Sequence, residues 1–573
     1  MIINQFLPPE ELEQTLPKEK LKDLEFILKI LLPEKRISSI FQEDEILGQI
    51  HHSINMSSYA KKEFRRKLFD SSRSSVPGIW ENYFSKCGVL EKISKMTSSE
   101  LSQNIKKYVE FEWGDNDLTK TFLNAFQYPD YLIFDQEKEV ESKEEIFGSN
   151  AEFEPLKMIL SYQAPIVEKT LKKLEMLNAR CLIQMPTGTG KTRTMMEILA
   201  NILNEKPNIQ IIWITNSPEL LDQARESFIH VWNHVGKNPI TIIKAWGSED
   251  IPKIPEKGAI VFAGYEKIKN FLANGNEIKP HYVVIDEAHR MLAPMYKTTI
   301  DDLTNIKNST RVVGLTATPG RGIDQVQNNL LVEQFHNEII QIELNDEDKA
   351  IYEKNIIKCL EDKEILAKAI YEPLETQLNI ELSKEDSLKF GKLFDGDRKE
   401  LSKEFLEKLA KDNYRNLKII KKLKQYAEED EGKKIIYFAT DVSQSILIFS
   451  ALQQLGVKAI HIDGSDQSKI GRAFRRKVIE KFKNTNEINV ICNYNIFSTG
   501  FDVPDLDVVF IGRPILSPVL LSQIIGRGTR GPKMGSKNNS FQLVQVIDNI
   551  KSKDKKIDPY EQYSFWDENW KNE

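Results

Sequence analysis

Apolar and polar residues are arranged in two different ways along this chain, and the change of texture divides it. Over residues 1–134 the apolar positions follow a helical period, as at Leu21, Leu24, Phe26, Ile27, Leu28 and Ile30, with a break at 72–77. A helical, polar-faced N-terminal module is predicted there. From Leu156 onward, short and nearly continuous apolar runs take over: RCLIQMP from Arg180, IQIIWITNS from Ile209, GAIVFAGY from Gly258, HYVVIDEAH from His281 and RVVGLTAT from Arg311. Helical stretches such as PELLDQARESF from Pro218 lie between them. Buried strands separated by helices predict a parallel sheet covered on both faces. The texture returns near Lys433 with KKIIYFAT, KAIHIDG, INVICNY, DVVFIGR and FQLVQVID. The prediction is therefore two α/β blocks, 155–345 and 431–550. A Lys/Glu-rich connector, 346–430, is expected to be helical. A tail, 551–573, is expected to pack down through Tyr560, Tyr563, Phe565, Trp566 and Trp570.

Composition narrows the class. A chain of 573 residues exceeds one hydrophobic core and suits three or four domains. Hydrophobic residues at 40% and charged residues at 29% give an ordinary globular balance. No apolar run approaches the ~20 residues that span a bilayer, and the first residues reach acids before any signal-peptide core forms. The expectation is a cytoplasmic protein without a membrane partner. Net charge is −6, and residues 135–154 carry eight acids against two lysines, which accounts for all of it. That stretch reads as a solvated acidic linker, and a polyanion partner must be held in a local groove. Cys87, Cys181, Cys359 and Cys492 form no C-x-x-C pair, against a disulfide framework or structural zinc. Pro129-Asp130 with Glu141-Ser-Lys143 fits a loose metal-nuclease spacing, but its surroundings are too polar for the buried strand that chemistry needs.

Two segments carry phosphate chemistry. Residues 185–192 read MPTGTGKT between a predicted strand and a predicted helix. Gly188 and Gly190 let backbone N–H groups close around a phosphate, and the helix N-terminus adds its dipole. Lys191 would reach the β- and γ-phosphates and the Thr192 hydroxyl would hold Mg²⁺. Asp286-Glu287-Ala288-His289 ends another apolar strand; Asp286 would hold the Mg²⁺ shell and Glu287 would orient or deprotonate water. Further on, 517–530 has helical spacing with Val519, Leu520, Ile524 and Ile525 inward. It delivers Arg527 and Arg530 on one face if the helix continues, a pair suited to the spread charge of a transferring phosphoryl group.

In order along the chain stand Tyr162-Gln163, the phosphate loop, Thr215-Asn-Ser-Pro-Glu219, DEAH, Thr316-Ala-Thr-Pro319, IYFAT ending at Thr440, STGFDVP from Ser498 and QIIGRGTR from Gln523. This series resembles superfamily-2 helicases and translocases of the DEAD/DEAH type, over about 156–570. The resemblance implies two RecA-like parallel-sheet domains in tandem behind the helical module, with ATP and Mg²⁺ bound between them. It implies adenine reading by Gln163 and nucleotide contacts from Thr187, Gly188, Thr189, Gly190, Lys191, Thr192, Asp502 and Gln523. It also implies coupling of ATP state to domain movement through His289, Thr316 and Thr318, and nucleic-acid contacts at Ser217, Thr440 and Thr499. Gln523, Gly500-Phe501-Asp502 and Thr-Ala-Thr-Pro look more like the duplex-DNA translocases of restriction, repair and defence systems, which implies DNA rather than RNA and, most remotely, antiviral defence.

Two other classes remain. A single-block P-loop enzyme would leave 433–530 without purpose. An ATPase-gated scaffold subunit, lending residues 1–134 to a protein partner, would carry the same motor motifs.

Overall fold

The computed structural model describes residues 18–33, 36–37, 56–72, 77–93, 106–126, 132–134, 143–146, 156, 158–215, 217–246, 251–255, 258–276, 278–292, 294–305, 309–317, 325–353, 355–382, 384, 402–430, 432–464, 466, 468–494, 503, 505–515 and 518–551. The predicted packing of the tail, and Thr318, Thr499 and Asp502, lie outside them.

Every strand predicted in the first block forms. Its sheet comprises β1 (Lys143–Ile146), β2 (Arg180–Gln184), β3 (Gln210–Thr215), β4 (Ile240–Ala245), β5 (Ala259–Gly264), β6 (Tyr282–Ile285), β7 (Arg311–Thr316) and β8 (Ile339–Gln341), in the order β1-β4-β5-β3-β6-β7-β2-β8. All pairs are parallel except β1 with β4. Alternate residues of one strand serve two cores. Ile211 and Trp213 of β3 pack on one face with Ile260 and Phe262 of β5, while Ile212 and Ile214 pack on the other with Val261 and Ala263. Burial on both faces is why these strands read as unbroken apolar runs.

Part of the expected acidic linker is structured. Lys143–Ile146 forms β1, antiparallel to β4 at the sheet edge, with side chains alternately exposed and half-buried. An edge strand needs only backbone pairing and a half-covered face, so charged residues are tolerated there. Glu144 is met by Arg225.

The connector also departs from expectation. It begins with helices Asp346–Tyr352 and Ile356–Asp362, then runs into a 14-residue strand, β9 (Lys368–Glu381), before helices Lys403–Lys411 and Asn413–Glu429. β9 joins the second sheet, whose other strands are β10 (Ile435–Phe438), β11 (Ala459–Ile462), β12 (Val490–Asn493), β13 (Val508–Ile511) and β14 (Ser540–Lys551), in the order β11-β12-β10-β13-β14-β9. β9 runs parallel to β14 as the edge strand, which is where Pro373 can be accommodated.

The described part of the N-terminal module is helical, including Lys18–Leu31, Lys62–Ser72, Pro77–Lys86 and Asp117–Ala125. Leu21, Leu24, Ile27 and Leu28 are buried while Ile30 is exposed, so one face of the first helix is covered. The cover is the second α/β domain, whose core is continuous with that of the module. Polar contacts fix the docking: Lys20 donates to the Ala410 carbonyl, Asn413 to Asp23, and Lys61 pairs with Asp466 at 2.9 Å. No described helix is long and apolar enough to cross a membrane.

Candidate active site

The parallel strands of the first sheet share one C-terminal edge, and the predicted segments collect along it. The phosphate loop follows β2, Ser217 follows β3, DEAH follows β6, and Thr316 ends β7. β6, β7 and β2 are neighbours, which brings Asp286 and Glu287 beside the loop. The loop is tied to that edge by Met185 N–H, which donates to the Thr316 carbonyl at 3.1 Å.

Within the loop, Gly188 and Gly190 adopt φ of +87° and +81°, the left-handed region that glycine enters at no steric cost. Thr189 is buried and its hydroxyl donates to the Pro186 carbonyl at 2.7 Å, closing the turn. Gly190 caps the helix Lys191–Glu205. Lys191 Nζ donates to the Met185 carbonyl at 3.3 Å and so arches over the loop. Burial lowers the Lys191 pKa, the Glu287 and Asp286 carboxylates oppose that, and the nearby Arg527 guanidinium adds to it. Arg527 of the other domain thus lies within electrostatic range of Lys191.

Asp286 is buried, and burial together with the adjacent Glu287 raises its pKa; Lys191 and the Glu287 N–H act against this. Glu287 sits at φ +53°, strained for a non-glycine residue, and its N–H donates to Asp286 Oδ1 at 2.9 Å. Its buried Oε2 accepts no hydrogen bond and stands 3.3 Å from His289 Nδ1. Two crowded acids, one with an oxygen that accepts no hydrogen bond, are oxygen donors of the kind that fits a hydrated Mg²⁺.

Gln163, expected to read adenine, lies against the phosphate loop. Its buried amide is committed to the loop: Nε2 donates to Thr194 Oγ1 at 2.9 Å and to the Thr189 carbonyl at 3.3 Å, while Oε1 accepts from Leu160 N–H at 2.7 Å. Tyr162 helps, donating to the Thr189 carbonyl at 2.6 Å. Ser217 is buried with its hydroxyl on Glu219 at 2.7 Å. Thr440 is fully buried, its hydroxyl on the Gly512 carbonyl at 3.1 Å, so that group is spent inside the second domain.

The two arginines are not on one helical face. The helix is Pro518–Ile525, and a turn rich in glycine carries Arg527 and Arg530 onward. Gly526, Gly528 and Gly531 are required there by close neighbours, namely Thr187, Phe541 and the Glu364 backbone. Gln523 is buried on the helix. The turn lies directly on the phosphate loop: Thr529 Oγ1 donates to the Thr187 carbonyl at 3.2 Å, and Thr187 Oγ1 donates to the Ser522 carbonyl at 3.3 Å. Sequence reasoning missed Ser522, Thr529 and the connector residues behind them. The one available signal was a hydroxyl placed between two arginines.

Two helicase-type family descriptions match the chain. The family described as Type III restriction enzyme, res subunit, matches residues 156–321, and the one described as Helicase conserved C-terminal domain matches 417–531. The IRC3 protein of Saccharomyces cerevisiae, which carries the name of an ATP-dependent helicase, is 22% identical over 65% of this chain and 49% of its own. A 51.5 kDa protein of a Lactococcus phage is 25% identical over 61% of this chain and 62% of its own. This chain thus spans about half to three-fifths of the length of these relatives. Among solved structures, the Hef helicase domain of Pyrococcus furiosus is similar at 18% identity, with a TM-score of 0.40, over 71% of this chain and all of that one. Both helicase halves are thus matched in order, and over them the chain resembles the superfamily-2 helicases.

Proposed function

We propose that this protein hydrolyses ATP in the cleft between its two α/β domains and uses the resulting closure and opening to move along or remodel nucleic acid, with DNA as the substrate. The observation that carries the reading is the approach of the arginine turn to the phosphate loop, with Thr529 bonded to Thr187 and Arg527 near enough to contribute to lowering the Lys191 pKa. A single-block P-loop enzyme has no use for that contact.

In this reading the loop N–H groups and Lys191 hold the β- and γ-phosphates of bound ATP. Glu287 accepts a proton from the attacking water as its oxygen bonds to the γ-phosphorus, while the bond to the bridging β-phosphate oxygen breaks. Arg527 and Arg530 stabilise the charge spread over the transferring group. Mg²⁺, held by Thr192 and Asp286, neutralises phosphate charge when bound. The preference for DNA is supported by details of the fifth and sixth motifs, and by similarity over 35% of the chain to a protein of Scheffersomyces stipitis named as an ATP-dependent DNA helicase. A relative from Methanocaldococcus jannaschii named as an ATP-dependent RNA helicase stands beside it.

The test is ATP turnover of the purified chain alone, and with single-stranded or duplex DNA or RNA, across a salt series. Stimulation by DNA, insensitive to base sequence and falling steeply as salt rises, is expected for a motor gripping phosphates. Turnover indifferent to every nucleic acid would refute the motor and favour the ATPase-gated scaffold.

A further inference from the structure

Thr529 lies between the two arginines and is almost fully buried, an unusual place for a hydroxyl in a surface turn. Its Oγ1 has one proton and two acceptors within reach, the Thr187 carbonyl of the phosphate loop at 3.2 Å and the Gly526 carbonyl of its own turn at 3.3 Å. The first bond crosses between domains and the second stays within one. The return bond, from Thr187 Oγ1 to the Ser522 carbonyl at 3.3 Å, crosses the same gap in the opposite direction. The surfaces are shaped for this approach. A Cβ on Gly188 would stand 2.7 Å from Thr529 Oγ1, and a Cβ on Gly526 would stand 2.0 Å from Thr187 Cγ2.

The turn is held from behind as well. Ala367 N–H donates to the Thr529 carbonyl at 2.8 Å, Gly531 N–H to the Ile365 carbonyl at 3.0 Å and Lys533 N–H to the Glu364 carbonyl at 3.0 Å. Leu366 forms an antiparallel bridge with Arg530. Ile365 and Leu366 belong to the apolar core of the first domain and Ala367 to that of the second, so the connector segment 364–367 bridges the two where it grips the arginine turn. The turn is therefore fixed by backbone bonds on its connector side, and on its phosphate side by Thr529 and the reciprocal Thr187 bond.

We propose that Thr529 is a positioning residue for the hydrolysis step: its hydroxyl, bonded to the Thr187 carbonyl, sets the distance at which Arg527 and Arg530 face the phosphates. It touches the loop backbone and acts through its two neighbours. The inference rests on the reading that the two-domain cleft hydrolyses ATP. Displacement of a charge-stabilising group by about 1 Å is enough to cost ~100-fold in rate, so a hydroxyl that fixes this gap has leverage on turnover well beyond its own bond. Affinity for ATP should depend on it little, because the loop N–H groups and Lys191 lie on the other side of the gap.

The experiment compares Thr529→Val, which keeps shape and removes the donor, with Thr529→Ser, which keeps the donor, and with Arg527→Ala. Nucleic-acid-stimulated kcat and KM for ATP are measured for each, with thermal denaturation as a check on folding. The valine variant should lose about 10- to 100-fold in kcat with KM within about twofold of wild type, and the serine variant should recover to within about threefold. If valine does not fold, Thr529→Ala against Thr529→Ser makes the same comparison. Wild-type turnover of the valine variant, while Arg527→Ala is inactive, overturns the positioning role and leaves the cleft reading intact. Equal losses in the valine and serine variants also overturn it, since packing alone would then be at work. Wild-type turnover of Arg527→Ala as well overturns the cleft reading itself.

Discussion

Gly526→Ala separates folding from domain closure within one substitution. The new Cβ would lie 2.0 Å from Thr187 Cγ2 and 2.4 Å from Thr187 Cβ. Rotating the Thr187 side chain removes the first clash but leaves the second, because Cβ is fixed by the backbone of the phosphate loop. Carbon atoms rest at about 3.5–4.0 Å, so the two domains must part by at least about 1 Å at this point. A shift of that size at a transition-state contact costs ~100-fold in rate, about 2.7 kcal/mol at 1.36 kcal/mol per factor of ten. Within the second domain the same change is milder: Gly526 is outside the left-handed region, the new Cβ would stand 2.9 Å from the Ser522 carbonyl oxygen so that the turn must ease slightly, and alanine offsets this by restricting the unfolded chain by ~0.4–1 kcal/mol in favour of folding. The expected result is a folded protein melting close to wild type, with kcat for ATP reduced about 100-fold. Gly528→Ala is the contrast, since its Cβ would meet the Phe541 ring at 2.5 Å inside the second domain and should lower the melting temperature instead. A folded Gly526→Ala protein with kcat within about threefold of wild type would show that hydrolysis does not need this closed arrangement, and the argument from the cleft would fall.

Lys191→Ala and Glu287→Gln should each abolish turnover but differ in nucleotide binding by equilibrium titration. The lysine change should weaken ATP binding, while the glutamine, which keeps the side-chain shape, should retain it; normal hydrolysis by Glu287→Gln would remove the residue from its role as base. A truncation after 346 keeps the loop and DEAH but loses the arginines, so it should bind ATP weakly and not hydrolyse it; full nucleic-acid-stimulated activity would refute the two-domain mechanism. Arg415→Leu should destabilise the second domain by about 3–5 kcal/mol in urea unfolding, because it leaves Asp548 buried without its cation. Both side chains are fully inaccessible, and Arg415 Nε lies 3.0 Å from each carboxylate oxygen. A loss below about 1 kcal/mol would mean that the pair is dispensable.

Which parts of this arrangement were legible in the sequence follows from where their causes lie. A buried parallel strand is written in its own residues, so Ile211, Ile212, Trp213 and Ile214 of β3 announce both covered faces at once. The phosphate loop is local too: the two glycines at positive φ, the lysine and the helix cap fall within a few residues of one another. Edge strands have weaker signatures. β1 is mostly charged and β9 lies in a Lys/Glu-rich stretch that reads as helix, and each becomes a strand only because a partner edge is offered by β4 or by β14, far away in the chain. The arginine turn is the sharpest case. A helical continuation would place Arg527 and Arg530 on one face, yet the chain has glycines at 526, 528 and 531, each against a different neighbour: Thr187 of the first domain, Phe541 of the second, and Glu364 of the connector. Those three contacts come from three parts of the molecule and leave no periodic trace. The glycines are the residue types that let all of them be made at once, and the turn they produce brings Thr529, between the two arginines, onto the phosphate loop.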